Sequence, residues 1–415
     1  DRMSKITKQD VVDWANKYLG PESYAIIYKR EGKDPDEQKI AAPKITPIVT
    51  NRDSQSEFLS EIQTSQVQPI EPVFVDYKKD MSQFEAQPGI DVLYKKNETN
   101  DIFTLIYVFN TGTENDPALN LAFNYLSYLG TDKMTAEEIA SEMYDIACSF
   151  YMNAGANQSS IQITGLSENM GKAMEIVEGL IAGAKPDEAI LENLKGDMLK
   201  SRADAKLNQS RCFGALQRYL FYGGDFIRRT TLTDPALQAL TSEQLLAKIG
   251  GLMGKQHEVL YYGPQKEAEV KSALAKHHKV AADLQPLEKK FSTLLPTDAN
   301  KVVLAQYDAK QLYYLQFSNR GEKFDVAADP EITLYNEYFG GGMNTIVFQE
   351  MREARGLAYT AWATLATPSN ANGDYSYYAF IATQNDKMQK AVEAFDDIIN
   401  NMPESEKAFG IAKEA

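Results

Sequence analysis

The chain has 415 residues, a formal net charge of −15 at pH 7 and 43% hydrophobic residues. A soluble protein of this length can form two or three domains with sizeable cores. Nucleic acid and anionic membrane surfaces are disfavoured as partners, because phosphate groups are bound by clustered Lys and Arg. No apolar run approaches the roughly 20 residues of a membrane span.

The chain begins with a helix and a β-rich run that return later in the sequence. Residues 5–32 and 239–264 each open with a Thr or Ser before an amphipathic stretch, which predicts a capped helix. Each then has a break and a short run, "SYAIIY" or "HEVLYY". We therefore interpret residues 1–32 as the end of a preceding domain. Residues 33–75, rich in Pro, Gln, Ser and charge, predict an extended linker.

Two longer stretches share one order of predicted elements. Residues 90–182 read as two strands, two helices, two strands and a helix, and residues 302–400 read the same way from "VVLAQY" to "KMQKAVEAFDDIIN". The pattern predicts an α+β fold of tandem homologous domains, each a mainly antiparallel sheet packed against helices. We place these domains at 76–282 and 283–415.

The second of these domains is expected to be truncated. In the first, Pro186 is followed by 77 residues up to Gly263, whereas Pro403 is followed by 12 residues. If the repeat holds, roughly 65 residues are absent from the last unit. The chain then reads as the C-terminal half of a larger protein.

The stretch "FGGGMNTIVFQEMREARGLAYT", residues 339–360, is the most informative motif. It lacks the Lys-Ser/Thr of a phosphate-binding loop, so the glycines indicate turns and close backbone approach. Asn344 is predicted to cap a helix whose buried face is Val347, Met351 and Ala354. Gly356 suits the position just after the helix end.

Arg352 and Tyr359 flank the end of this predicted helix and could converge on one point. Arg offers a planar fork of donors and Tyr a hydroxyl, so the pair could bind a peptide carbonyl or carboxylate. The alternative, a surface Arg and a packed Tyr, is equally open from the local sequence.

Residues 339–360 resemble the C-terminal domain of the pitrilysin/insulinase family of zinc metallopeptidases, in which an "R-E-x-x-G-L-A-Y"-like stretch carries an Arg and a Tyr seven residues apart. The resemblance implies homologous α+β domains in two halves that close like a clamshell around a peptide substrate. It also implies that an N-terminal half carries the zinc motif H-x-x-E-H, and that Arg352 binds substrate while Tyr359 binds substrate and assists catalysis in trans.

The resemblance also shows what this half lacks. Gly130-Thr131 match the Gly-Thr that follows the family's zinc motif, and counting back puts Leu121, Asn124 and Tyr125 where active domains have His, Glu and His. We therefore expect no cofactor in this chain, zinc in the N-terminal half, and no activity from this chain alone.

The three histidines do not replace that motif. His277 and His278 are adjacent in sequence, about 100° apart on a helix, and cannot share one metal as i, i+4 residues do. We expect both at the surface, and His257 has no ligand partner in its own stretch of sequence.

These observations predict the non-zinc-binding half of a zinc metalloendopeptidase, with that N-terminal half and a peptide substrate as partners. Two alternatives remain: a catalytically silent partner or scaffolding subunit of the same fold, and a glycan-binding module lined by the clustered tyrosines. An extracytoplasmic, periplasmic location is favoured over a cytoplasmic one. Cys148 and Cys212 could be free thiols or a disulfide.

Overall fold

The structure, a computed structural model, describes residues 2–22, 24–30, 32, 56–68, 70–287 and 292–415. It divides into two compact units, Asp1–Val73 and Phe74–Ala415.

Among its described residues the first unit contains a short 3-10 helix, Met3–Lys5, and two α-helices, α1 (Lys8–Tyr18) and α2 (Glu57–Thr64). Thr7 caps α1 as predicted, since its hydroxyl accepts from the amide of Asp10 and its own amide donates to the Asp10 carboxylate. Residues 24–30 pair with no strand among the described residues of this unit. Of the predicted linker, residues 33–55 lie outside the described residues, and the remainder includes α2.

The second unit begins with a six-stranded sheet. Its strands are β1 (Ser82–Gln87), β2 (Ile90–Lys96), β3 (Ile102–Phe109), β4 (Cys148–Ala154), β5 (Ser159–Leu166) and β6 (His257–Gly263). They lie in the order β1-β2-β6-β3-β5-β4, and all neighbours are antiparallel except β2 and β6, which run parallel. The central strand β3 alternates buried and half-buried positions, which is typical of a sheet with one face against a core.

Among the described residues, eight α-helices follow the strands of this sheet or lie between them, and all except α7 contribute buried side chains to its core. They are α3 (Leu119–Leu126), α4 (Ala136–Asp145), α5 (Met170–Gly183), α6 (Glu188–Lys206), α7 (Gln209–Thr230), α8 (Asp234–Ala239), α9 (Ser242–Leu252) and α10 (Glu267–His277). Thr135 and Thr241 form capping boxes with Glu138 and Gln244, so local sequence sets where α4 and α9 begin.

A three-stranded antiparallel sheet follows, formed by β7 (Gln311–Ser318), β8 (Thr360–Ala366) and β9 (Ser376–Gln384) in the order β7-β9-β8. Its helices are α11 (Asp329–Tyr335), α12 (Ile346–Phe348), α13 (Met388–Asn400) and α14 (Glu406–Glu414). The series β3-α3-α4-β4-β5-α5 and β7-α11-α12-β8-β9-α13 have the same order and the same strand neighbours. The predicted α+β fold of tandem sheet-and-helix units is therefore confirmed.

One strand predicted from the sequence, residues 302–307, does not form. The corresponding strand of the six-stranded sheet is β2, which pairs with β6 and not directly with β3, because β6 lies between them. No strand among the described residues occupies the matching place beside β7, so residues 302–307 have nothing to pair with. Strand formation depends on a neighbour, and β-propensity alone does not supply one.

Candidate functional site

The glycine-rich corner brings a helix end onto a strand. α11 continues as a π-helical turn, Asn336–Gly340, and the backbone of Gly340 lies against the carbonyl of Ala363 in β8. A side chain at Gly340 would overlap that oxygen, whereas Gly341 faces open space. The prediction that these glycines permit close backbone approach is confirmed at Gly340.

The helix that follows differs from the prediction in two positions. Its N-cap is Thr345 and not Asn344, because the turn after Gly341 extends one residue further and Thr345 bonds the carbonyl of Gly342. Val347 and Met351 are buried as expected, but Ala354 is exposed. From Gln349 to Ala354 the helix is π-helical, and this wider turn rotates the third position away from the core.

The corner after this helix is held by several hydrogen bonds. Gly356 has φ +57°, the left-handed conformation predicted for the position after the helix end. The Thr383 hydroxyl donates to the carbonyl of Leu357 at 2.5 Å, and the Tyr359 amide donates to the carbonyl of Ala382 at 3.0 Å. Because Thr383 is only 3% exposed, this contact ties the corner to the interior of β9.

The corner places Arg352 and Tyr359 side by side, as the sequence predicts for a converging pair. The Arg352 guanidinium carbon lies 5.2 Å from the Tyr359 ring centre and 5.0 Å from that of Phe348. Cation–π contacts of this kind restrain an otherwise flexible arginine. Sequence reasoning missed Phe348, although its position four residues before Arg352 is the helical spacing that brings two side chains together.

Both functional groups remain open to a ligand. Tyr359 is 68% exposed, and its hydroxyl makes no hydrogen bond within the part of the chain that the structure describes. The one ion pair of Arg352 in that same part, to Glu353 at 3.7 Å, joins two half-exposed side chains and is weak in water. The site therefore presents an unpartnered hydroxyl donor beside an oriented guanidinium.

The positions that match the zinc motif do not fit a metal ion. Leu121 and Tyr125 are 2% and 0% exposed in α3, and the Tyr125 hydroxyl donates to Ser242 Oγ at 2.7 Å. Asn124 is exposed, and its amide donates to the side chain of Asn120. An apolar side chain, an engaged phenol and a neutral amide offer none of the His or carboxylate ligands that zinc uses.

The prediction that His277 and His278 lie at the surface is wrong. His278 is 5% exposed and the His277 side chain 9%, because the last turn of α10 packs against α5 and each ring meets a glutamate there, Glu178 and Glu175 respectively. His257 is also buried. Among the residues that the structure describes, no group of three or more His, Cys, Asp or Glu side chains could hold a metal ion.

The remaining predicted features have ordinary structural roles. The tyrosines at 313–314, 335–338 and 375–378 are buried or half-buried, so they form no exposed wall. Cys148 and Cys212 are free thiols, and burial raises the pKa of Cys148. None of the described helices combines the length and apolar character that crossing a membrane requires.

The amino-acid sequence is similar to known protein families and relatives. Residues 255–414 match the family model "Peptidase M16 inactive domain". An uncharacterized zinc protease of Streptomyces coelicolor is 22% identical over 266 residues, 60% of this chain and 56% of that protein. The chain therefore spans little more than half the length of this curated relative.

Solved structures have the same fold. A peptidase M16 inactive domain from Pseudomonas fluorescens aligns with a TM-score of 0.64 at 18% identity, covering 80% of this chain and 82% of that one. The periplasmic protease PqqL from Escherichia coli also aligns with a TM-score of 0.64, at 12% identity, covering 100% of this chain and 44% of that one. Together with the family-model match, these structures confirm the expected resemblance to the pitrilysin/insulinase class of metallopeptidases.

Proposed function

Because residues 255–414 match the peptidase M16 inactive domain, we propose that this chain acts as the C-terminal, non-zinc-binding half of a zinc metalloendopeptidase. It closes the substrate chamber and supplies groups that bind peptide and stabilise the transition state. The observation that carries this proposal is the Tyr359 hydroxyl, which is exposed and has no hydrogen-bond partner among the described residues, on a ring that lies beside Arg352. The division into 1–32, 33–75, 76–282 and 283–415 is part of the same proposal.

Tyr359 is the proposed catalytic contributor. A phenol at neutral pH donates one hydrogen bond and can reach the carbonyl oxygen of a peptide group. Donors aimed at an oxygen that gains negative charge stabilise the transition state more than the ground state. The hydroxyl of Tyr359 would therefore bind the substrate weakly and favour hydrolysis more strongly.

Arg352 is the proposed substrate clamp. Its guanidinium is oriented between the rings of Phe348 and Tyr359, so little side-chain freedom remains to be lost on binding. Planar N–H donors match the carbonyl oxygens of an extended peptide backbone. The edge strand β8, which begins at the next residue after Tyr359, could pair with that peptide as an added strand.

The metal belongs to the partner half in this proposal. Leu121, Asn124 and Tyr125 do not fit a zinc ion, so no hydrolytic step passes through a metal held by this chain. The buried Leu121 and Tyr125 are equally compatible with a silent partner or scaffolding subunit of the same fold. The half-buried tyrosines give the glycan-binding alternative less support. The fold shared with a periplasmic protease supports an extracytoplasmic location.

Reconstitution tests the proposal against the scaffolding alternative. The chain and a zinc-bearing half would be purified separately and mixed, and peptide hydrolysis would be followed with a fluorogenic substrate. We expect activity from the mixture and none from this chain alone. A zinc-bearing half that reaches full activity without this chain would contradict the proposal and favour the scaffolding role.

A further inference from the structure

Four buried side chains form one hydrogen-bonded network in the core beside the six-stranded sheet. His257 opens β6, His278 caps the C-terminus of α10, Glu178 lies on α5 and Tyr107 on β3. Their exposed fractions are 4%, 5%, 8% and 0%. Buried ionisable groups are uncommon and need partners, so the protons of this network can be assigned from its contacts.

The proton positions at His257 follow from its neighbours. Nδ1 lies 2.8 Å from the carbonyl oxygen of Lys255, which can only accept, so Nδ1 carries the hydrogen. In the neutral ring Nε2 is then an acceptor. Nε2 of His278 lies 2.9 Å away and must donate to it.

Glu178 completes the network on the other side of His278. Its Oε1 accepts from the Tyr107 hydroxyl at 3.0 Å and lies 2.5 Å from His278 Nδ1, while its Oε2 accepts from the Lys279 amide at 3.1 Å. Because Nε2 of His278 already carries a hydrogen, one further proton lies between His278 Nδ1 and Glu178 Oε1. The pair is neutral overall, and the C-terminal end of α10 favours the positive charge on His278.

The same accounting leaves no place for another proton while His278 keeps its Nε2 hydrogen. A second proton on His257 would sit on Nε2 and point at that N–H of His278, where it has no acceptor. Burial lowers the pKa of His257 to about 4, consistent with this arrangement, and the nearby charge on His278 lowers it as well.

The groups that face His257 come from each element packed around it. β3 contributes Tyr107 and the apolar ring of Phe109, α5 contributes Glu178, and α10 contributes His278. The carboxylate of Glu178 raises the pKa of His257 without reversing the effect of burial.

This network holds the segment that leaves α10. The backbone amide of Lys279 donates to the Glu178 carboxylate. Six residues later, Gln285 pairs with the turn before β6. The Gln285 amide donates to the carbonyl of Gly254 at 3.0 Å, and the Gln285 carbonyl accepts from the amide of Gln256 at 2.8 Å. Residues 279–287 thus lie across the start of β6 on the route to the three-stranded sheet. We propose that the network is an acid-sensitive clamp, in which protonation of His257 breaks its bond to His278 and releases residues 279–287.

Proton linkage gives the direction of the effect. An unfolded histidine takes up a proton below its ordinary pKa of about 6.5, but folded His257 does so only near pH 4. Between these values the unfolded state binds more protons, so the folded state loses stability as the pH falls. The unfolding equilibrium constant should rise on the order of 100-fold across this window from His257 alone.

Nitrogen NMR of the three imidazoles tests the assignment directly, with His277→Gln to identify the third ring. At pH 7 we expect a neutral His257 protonated on Nδ1, and His278 protonated on Nε2. Amide-exchange protection of residues 279–287 should fall at the same pH at which His257 becomes charged. A charged His257 at pH 6, or protection that survives its protonation, would overturn the proposal.

A variant tests the clamp by stability. In His257→Gln an amide can still donate to the Lys255 carbonyl and accept from His278, but it cannot be protonated. The unfolding equilibrium constant, measured with urea at pH 6.5 and at pH 4, should rise less in the variant than in the wild type, by a factor on the order of 100. His277→Gln, a matched change at the neighbouring histidine, should keep the wild-type dependence. Equal pH dependence of His257→Gln and the wild type would refute the clamp, and the NMR measurement decides if the variant does not fold.

Discussion

Replacing Gly340 by Ala tests the packing that positions the candidate site. The backbone of Gly340 lies against the carbonyl of Ala363, and that residue is fixed by its pairing with Ala379 in β9. The new methyl group would overlap backbone and not a flexible side chain, so either the helix or β8 must move. Overpacking of this kind costs about 1–3 kcal/mol, and the better helix propensity of Ala returns at most about 1 kcal/mol.

The expected result is a loss of about 1–2 kcal/mol in the free energy of unfolding, measured from the urea midpoint at an unchanged m-value. Gly341→Ala is the matched control, because no atom lies within 4 Å of the position its methyl group would take. It should change stability by less than about 0.5 kcal/mol. Equal stability of the two variants would show that the helix does not depend on the close approach of Gly340 to β8.

Three further predictions concern the corner and the missing metal site. Thr383→Val leaves the part-buried carbonyl of Leu357 without its hydroxyl donor and should lower the free energy of unfolding in urea by about 1–3 kcal/mol. Thr383→Ser keeps the hydroxyl and should keep most of that stability; a Val variant as stable as the Ser variant would contradict this contact. Metal analysis after dialysis should find no stoichiometric zinc in the chain, and one tightly held zinc per chain would refute the account of Leu121 and Tyr125. In the assembled enzyme, Arg352→Ala should raise KM for peptides, because a group that binds the peptide backbone acts in both the ground state and the transition state. An unchanged KM would contradict the proposed role of Arg352 in substrate binding.

The features that the sequence predicts correctly depend on local chemistry. Thr7 and Thr241 cap helices with acceptors three residues later, and Gly356 takes the one conformation that its place after a helix requires. Arg352 and Tyr359 converge because a helix end and the next strand constrain them within a few residues.

The features that it misses depend on neighbours distant in sequence. Residues 302–307 have strand composition but no adjacent strand among the described residues, and the π-helical turn that exposes Ala354 lies against β8 and α13, which come later in the chain. His257 and His278 are 21 residues apart, and their partner Glu178 lies 100 residues before His278, so no local pattern reveals their network.

The central claim is that Tyr359 stabilises the transition state of peptide hydrolysis, and steady-state kinetics of Tyr359→Phe in the assembled enzyme tests it most directly. The substitution removes one exposed hydroxyl and leaves the ring that stacks on Arg352, so folding should be preserved. We expect kcat to fall about 100-fold or more, corresponding to about 2.7–4 kcal/mol for one oxyanion donor, with a smaller change in KM. Wild-type kcat in Tyr359→Phe would contradict the claim and leave Tyr359 as the packing partner of Arg352.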